Sequence, residues 1–137
     1  MALVALSGLQ GCSNADEAES RSVNLETARA AIDAGQARLF DLREPQEHAS
    51  GVARSAHLLP MSQLSARLGE IPRDPTQPVL LICQTQNRSS KVAAALRERG
   101  YTNVRYVHGG MAGWAGKGWP MVAPSSQPPG APQGGSR

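Results

Sequence analysis

The chain is poor in cysteine and lacks every pattern that would gather cysteine or histidine around a metal. Its 137 residues hold two cysteines, Cys12 and Cys83, too few for a disulfide framework. No CxxC, HExxH or clustered Cys/His spacing occurs, so no metal site is expected, and the reading calls for no cofactor. Lys and Arg form no run and do not alternate with aromatic residues, and the net charge is a mild +3. Nucleic acid therefore has little support as a partner. No apolar run approaches the roughly 20 residues of a membrane-spanning helix. His48, His57 and His108 are scattered and read as structural or surface groups.

What is present falls into three parts. Residues 1–22 begin with a small, apolar stretch, Met1 to Gly11, followed by Cys12 and a polar, acidic tether. The stretch looks like the end of a signal peptide. Leu9-Gln10-Gly11-Cys12 resembles the bacterial lipoprotein signal, which implies lipidation of Cys12 and a lipid anchor to the membrane in the cell envelope. The alternative is a cytoplasmic protein with an apolar N-terminus. Residues 123–137 are almost wholly Pro, Gly, Ser, Gln and Ala, the composition of a flexible tail. Residues 23–122 are long enough for one independent core.

Within that core, strands alternate with helices. Asn24 can cap a helix over Leu25 to Ala34, closed by Gly35. Ala37 to Leu42 reads as a strand, with Asp41 and Arg43 at its end. Pro45 can open a short helical turn through His48, which Gly51 ends. Ala56 to Leu59 reads as a strand stopped by Pro60. Ser62 can cap a helix over Gln63 to Glu70, with Leu64, Leu68 and Ile71 inward. Val104 to Val107 is a further strand, and Met111 to Gly116 a last short helix with Trp114 in the core. This alternation predicts an α/β fold: a central parallel sheet with helices on both faces.

The most informative stretch starts at Val79. Val79-Leu80-Leu81-Ile82 is an apolar, β-rich run that reads as a buried strand. Cys83 follows at its end, where ligands gather in such folds. Gln84, Thr85, Gln86, Asn87 and Arg88 come next, then Ser89 and Ser90, which can cap a helix from Lys91 to Arg99 with Val92, Ala95, Leu96 and Arg99 forming an apolar stripe with a charged flank. A strand–loop–helix turn of this kind points backbone N–H groups into a cup backed by the helix dipole, and such a cup suits an anion. Cys83 is expected at its floor. Lowering a thiol pKa from about 8.5 to about 7 takes roughly 2 kcal/mol of thiolate stabilisation. A helix N-terminus contributes roughly 0.3–2 kcal/mol, and a guanidinium adds to it. The cup therefore suits a nucleophilic sulfur or a persulfide anion without a neighbouring base. The competing reading is an inert, buried strand-end cysteine.

Three segments together resemble a single-domain rhodanese, a thiosulfate sulfurtransferase. They are Asp41 to Gly51 continuing through Ala56 to Pro60, Cys83 to Ser89, and Tyr101 to Val104 with Gly109-Gly110-Met111 to Trp114. The resemblance implies a rhodanese-like fold and sulfur transfer through a persulfide on Cys83, from thiosulfate or a similar donor to a thiol or cyanide. It implies that the backbone of Gln84, Thr85, Gln86, Asn87, Arg88 and Ser89 binds substrate, with Arg88 anchoring the loop or meeting the donor's charge. Asp41, Arg43 and Glu47 then serve as structural support, and a monomer is the default. Phosphatase-like members of the fold carry a loop one residue longer than the four residues between Cys83 and Arg88, so sulfur chemistry is favoured over dephosphorylation. The family loop usually has glycine where Gln86 stands, so a positive φ there would cost about 1 kcal/mol or more. The functional alternative is a rhodanese-like module that binds or regulates without catalysis.

Overall fold

Asn24 caps the first helix through its side chain, which accepts from the Thr27 amide at 2.7 Å. That bond satisfies one of the N–H groups a helix start leaves free. The computed structural model describes residues 21–124. In it, helix α1 runs Leu25–Asp33, and Gly35 follows at φ 70°. Helices α2, α3 and α4 span Pro45–His48, Asn87–Glu98 and Gly110–Gly116.

Five strands form one sheet: β1 Ser22–Val23, β2 Arg38–Asp41, β3 His57–Leu58, β4 Val79–Ile82 and β5 Val104–Val107. Their order is β1-β5-β4-β2-β3, and every pairing is parallel. Side chains alternate between the faces of a strand, and each face has its own core. Leu39, Leu80, Ile82 and Val107 pack with Leu25 and Ala28 of α1 and with Met111 and Trp114 of α4. Phe40, Val79, Leu81 and Val104 pack with Val92, Ala93 and Leu96 of α3. Burial on both faces is why β4 reads as an unbroken apolar run. The expected α/β architecture, with a central parallel sheet and helices on both faces, is the one observed.

Three local expectations are corrected. The helix over Gln63 to Glu70 is absent; two 3-10 turns, Met61–Gln63 and Leu68–Glu70, stand in its place. Ser62 does not cap, because its amide and hydroxyl both go to the Glu44 carboxylate, at 3.0 and 2.6 Å. Arg67 further draws this segment onto the sheet, donating to Leu58 O, Gln63 Oε1 and the Glu70 carboxylate. Helix α3 begins at Asn87 rather than Lys91, with Gln86 as its cap. Its buried face is Ser89, Val92, Ala93 and Leu96, while Ala95 and Arg99 are exposed. Finally, β1 includes Ser22, which pairs with Tyr106 although its sequence reads as tether; a two-residue edge strand carries no periodicity to detect.

Candidate active site

Strand β4 lies between β2 and β5, so its C-terminal end opens at the middle of the sheet. Cys83 is the next residue. Met111 donates its amide to Cys83 O at 2.8 Å, and Ala112 donates to Gln84 O at 2.9 Å. A Cβ placed on Gly110 would lie 2.1 Å from Thr85 O, 2.5 Å from Cys83 O and 2.6 Å from Gln84 O. Three successive carbonyls thus converge on the first turn of α4. Every peptide here is trans, which sets N–H and C=O on opposite sides of each unit. The amides of Gln84, Thr85 and Gln86 therefore face away from α4.

Among the described residues, the N–H groups of Gln84, Thr85, Gln86, Asn87 and Arg88 donate to no protein acceptor. The Ser89 amide donates to Cys83 Sγ at 3.4 Å, and the Ser89 hydroxyl lies 3.3 Å from the same sulfur. A fan of free donors at a helix N-terminus is chemically an anion site.

Gln86 adopts φ −154° and ψ −1°, and among the described residues no residue other than glycine has a positive φ. The strain expected at this position is therefore absent. Its backbone oxygen accepts from Ser90 N at 2.8 Å, which starts α3, and its side-chain Oε1 accepts from Gly109 N at 3.1 Å. Gln86 ties the loop to the turn before α4, where a glycine could not.

Cys83 itself is 1% exposed, a tighter enclosure than the floor of an open cup. Gln84, Thr85 and Asn87 are exposed above it, and Ser89 is buried.

The charged residues around the loop form two pairs. Arg88 grips Glu47 with both terminal nitrogens, at 2.6 and 2.7 Å. Those hydrogen bonds push the Glu47 carboxyl down to about 2, and Glu47 in turn raises Arg88. Asp41 and Arg43 form the second pair, 0% and 1% exposed, with Arg43 Nη2 2.8 Å from Asp41 Oδ2. Arg43 also donates to Gly51 O at 2.8 Å and to Glu47 O at 3.2 Å, fastening the chain after β2 to α2. Burial pushes the Asp41 carboxyl up, but nearby His48 and the Arg43 fork together outweigh it and hold it below the usual range.

Two features of this region are not visible in sequence periodicity. His48 is buried with Nε2 3.3 Å from Asp41 Oδ1. Gly110 and the amides after it hold the loop's carbonyls; the only trace of this in the sequence is the glycine pair, which reads as a turn. Cys12 lies outside the described residues.

A buried thiol at the end of the central strand of a parallel sheet, followed by a loop whose amides find no partner among the described residues, defines a cysteine-centred α/β domain. The model of the Rhodanese-like domain matches residues 24–117, and the chain belongs to that family. It is 40% identical to a sulfurtransferase of Allochromatium vinosum over 86 residues, which cover 63% of this chain and 78% of that protein. It is 29% identical to the human thiosulfate:glutathione sulfurtransferase over 108 residues, covering 70% of this chain and 94% of the human one. The crystal structure of a rhodanese-related protein from Thermoplasma volcanium superposes with a TM-score of 0.64 at 28% identity, covering 74% of this chain and 97% of that one. Its relatives include proteins named as sulfurtransferases, and the chain is a rhodanese-type member of that family.

Proposed function

We propose that Cys83 carries sulfur as a persulfide between a donor such as thiosulfate and a thiol or cyanide acceptor. The observation that carries this reading is the fan of amides from Gln84 to Arg88, unpaired among the described residues, beside a sulfur that already accepts from Ser89 N–H. With thiosulfate, the Cys83 thiolate attacks the outer sulfur, the S–S bond breaks, and sulfite leaves with the electron pair. The acceptor then attacks the same sulfur and releases the Cys83 thiolate. The amides stabilise the anionic persulfide between the two steps. A thiol acceptor is in keeping with the named activity of the human relative.

Burial of the thiol favours a second reading, a rhodanese-like module that binds without turnover. Intact-protein mass spectrometry after thiosulfate treatment separates the two. One added sulfur on Cys83, absent in Cys83→Ala, supports transfer; a folded protein with unmodified Cys83 supports the module. For the N-terminus, the likeness of Leu9 to Cys12 to a lipoprotein signal supports a lipid-anchored envelope location. Radiolabelled palmitate incorporated at Cys12 in cells tests that assignment, and an unlabelled chain with intact Met1 rejects it.

A further inference from the structure

The loop's charges bear on which donor it accepts. The four side chains between Cys83 and Arg88 are all uncharged: Gln84, Thr85, Gln86 and Asn87. Arg88 is the loop's single cation, and Glu47 occupies both of its terminal nitrogens. Glu47 stays ionised, because those hydrogen bonds hold its carboxyl at about 2. Arg43, a guanidinium just past the end of β2, is buried against Asp41 and two backbone carbonyls. Each ion pair is neutral in sum. Among the described residues, the groups nearest the sulfur are uncharged donors, the Ser89 hydroxyl and amide, with the loop amides beside them, while the Arg88 charge that reaches Cys83 is opposed by Glu47. Dipoles of this kind accommodate one anionic sulfur. They supply no unit charge to offset a second negative group nearby.

We infer that the site prefers a low-charge donor, an organic persulfide whose only negative charge lies on sulfur, over the thiosulfate dianion. This rests on Cys83 being the sulfur carrier and narrows the donor for that same reaction. In the transfer, Cys83 Sγ bonds to the donor's terminal sulfur and the donor's S–S bond breaks. Its electron pair leaves on the organic thiolate, which takes up the Cys83 proton. A persulfide anion and a thiol become a persulfide anion on Cys83 and a free thiol, with no external oxidant or reductant.

The test uses the full chain with hydroxyethyl persulfide and thiosulfate as separate donors. It measures the second-order rate of sulfur gain on Cys83 by mass spectrometry at low salt. Glu47→Gln leaves the Arg88 charge uncompensated, and Gln84→Lys adds a charge without touching that pair. Each should raise the thiosulfate-to-persulfide rate ratio about three- to tenfold, the scale of one unit charge acting across a few ångströms of partly solvated protein. The gain should shrink in high salt. A ratio unmoved in both variants overturns the inference, as does thiosulfate being the faster donor in the parent chain, and either result leaves the carrier role of Cys83 intact. Absence of added sulfur with either donor sinks the carrier role itself.

Discussion

Arg43 is a guanidinium at 1% exposure whose partner carboxylate is at 0%. Removing one member of such a pair strands a buried charge, so Arg43→Met should destabilise the fold by about 3–5 kcal/mol in urea unfolding. Adding Asp41→Leu should recover most of that loss, and an unchanged midpoint for Arg43→Met alone would contradict the buried-pair account. Arg88 and Glu47 differ in kind. Their side chains are 34% and 32% exposed, and water-screened pairs contribute about 0–1 kcal/mol. Arg88→Ala should therefore cost under about 1 kcal/mol of stability. It should slow thiosulfate turnover about tenfold, because an unpaired Glu47 carboxylate then faces an anion site. The opposite pattern, large instability with normal turnover, would make Arg88 architectural.

At the scale of elements, the loop is shaped between α3 and α4 rather than by its own residues. Gly110 has φ 61°, and a Cβ there would meet three backbone oxygens within 2.6 Å. Backbone oxygens cannot rotate away as a flexible side chain can. Gly110→Ala should destabilise the protein by about 1–3 kcal/mol and abolish persulfide formation as the amide fan loses its aim. Gly35 provides the control: φ is 70° with nothing within 4 Å. Gly35→Ala should cost about 1 kcal/mol and leave sulfur transfer unchanged. Equal effects of the two substitutions on transfer would remove α4 from the account of the site.

Across the whole molecule, acid should weaken the fold in two stages. Burial lowers His57 below its ordinary 6.5, against the opposing pull of Glu70. The unfolded chain therefore takes up that proton first, and the associated stability, present above about pH 6.5, declines as pH falls below it. Arg67 lowers Glu70 to about 2, and Arg88 lowers Glu47 to about 2. Their contributions are present above the ordinary carboxylate value of 4.5 and disappear as pH falls from there through 2. Thermal melts across pH should show Tm level above neutrality, a first decline below pH 6.5 that His57→Gln removes, and a second below pH 4.5. A single decline confined to strongly acid pH in the parent chain would rule out the His57 stage.

Much of this was legible along the chain because its causes are local. The Asn24 cap, the apolar run of β4 and the placement of Cys83 at a strand end all lie within a few residues of the features that produce them. The same is true of the alternation that implies a doubly covered parallel sheet. Contacts between distant segments had no such signature. Glu47 and Arg88 are 41 positions apart, and only the juxtaposition of β2 and β4 brings them together. Arg67 and Glu44 turned an expected helix into two 3-10 turns by bonding across the sheet edge. The clamp of α4 on the carbonyls of Cys83 and Gln84, and with it the turn of the loop amides away from α4, exists only once β5 has delivered Gly110 beside β4. Sequence alone determined which atom is the nucleophile candidate and where in the topology it stands. Tertiary structure decided how deeply that sulfur is enclosed and that the loop's one guanidinium is already neutralised, because both depend on which groups the folded chain sets against one another in space.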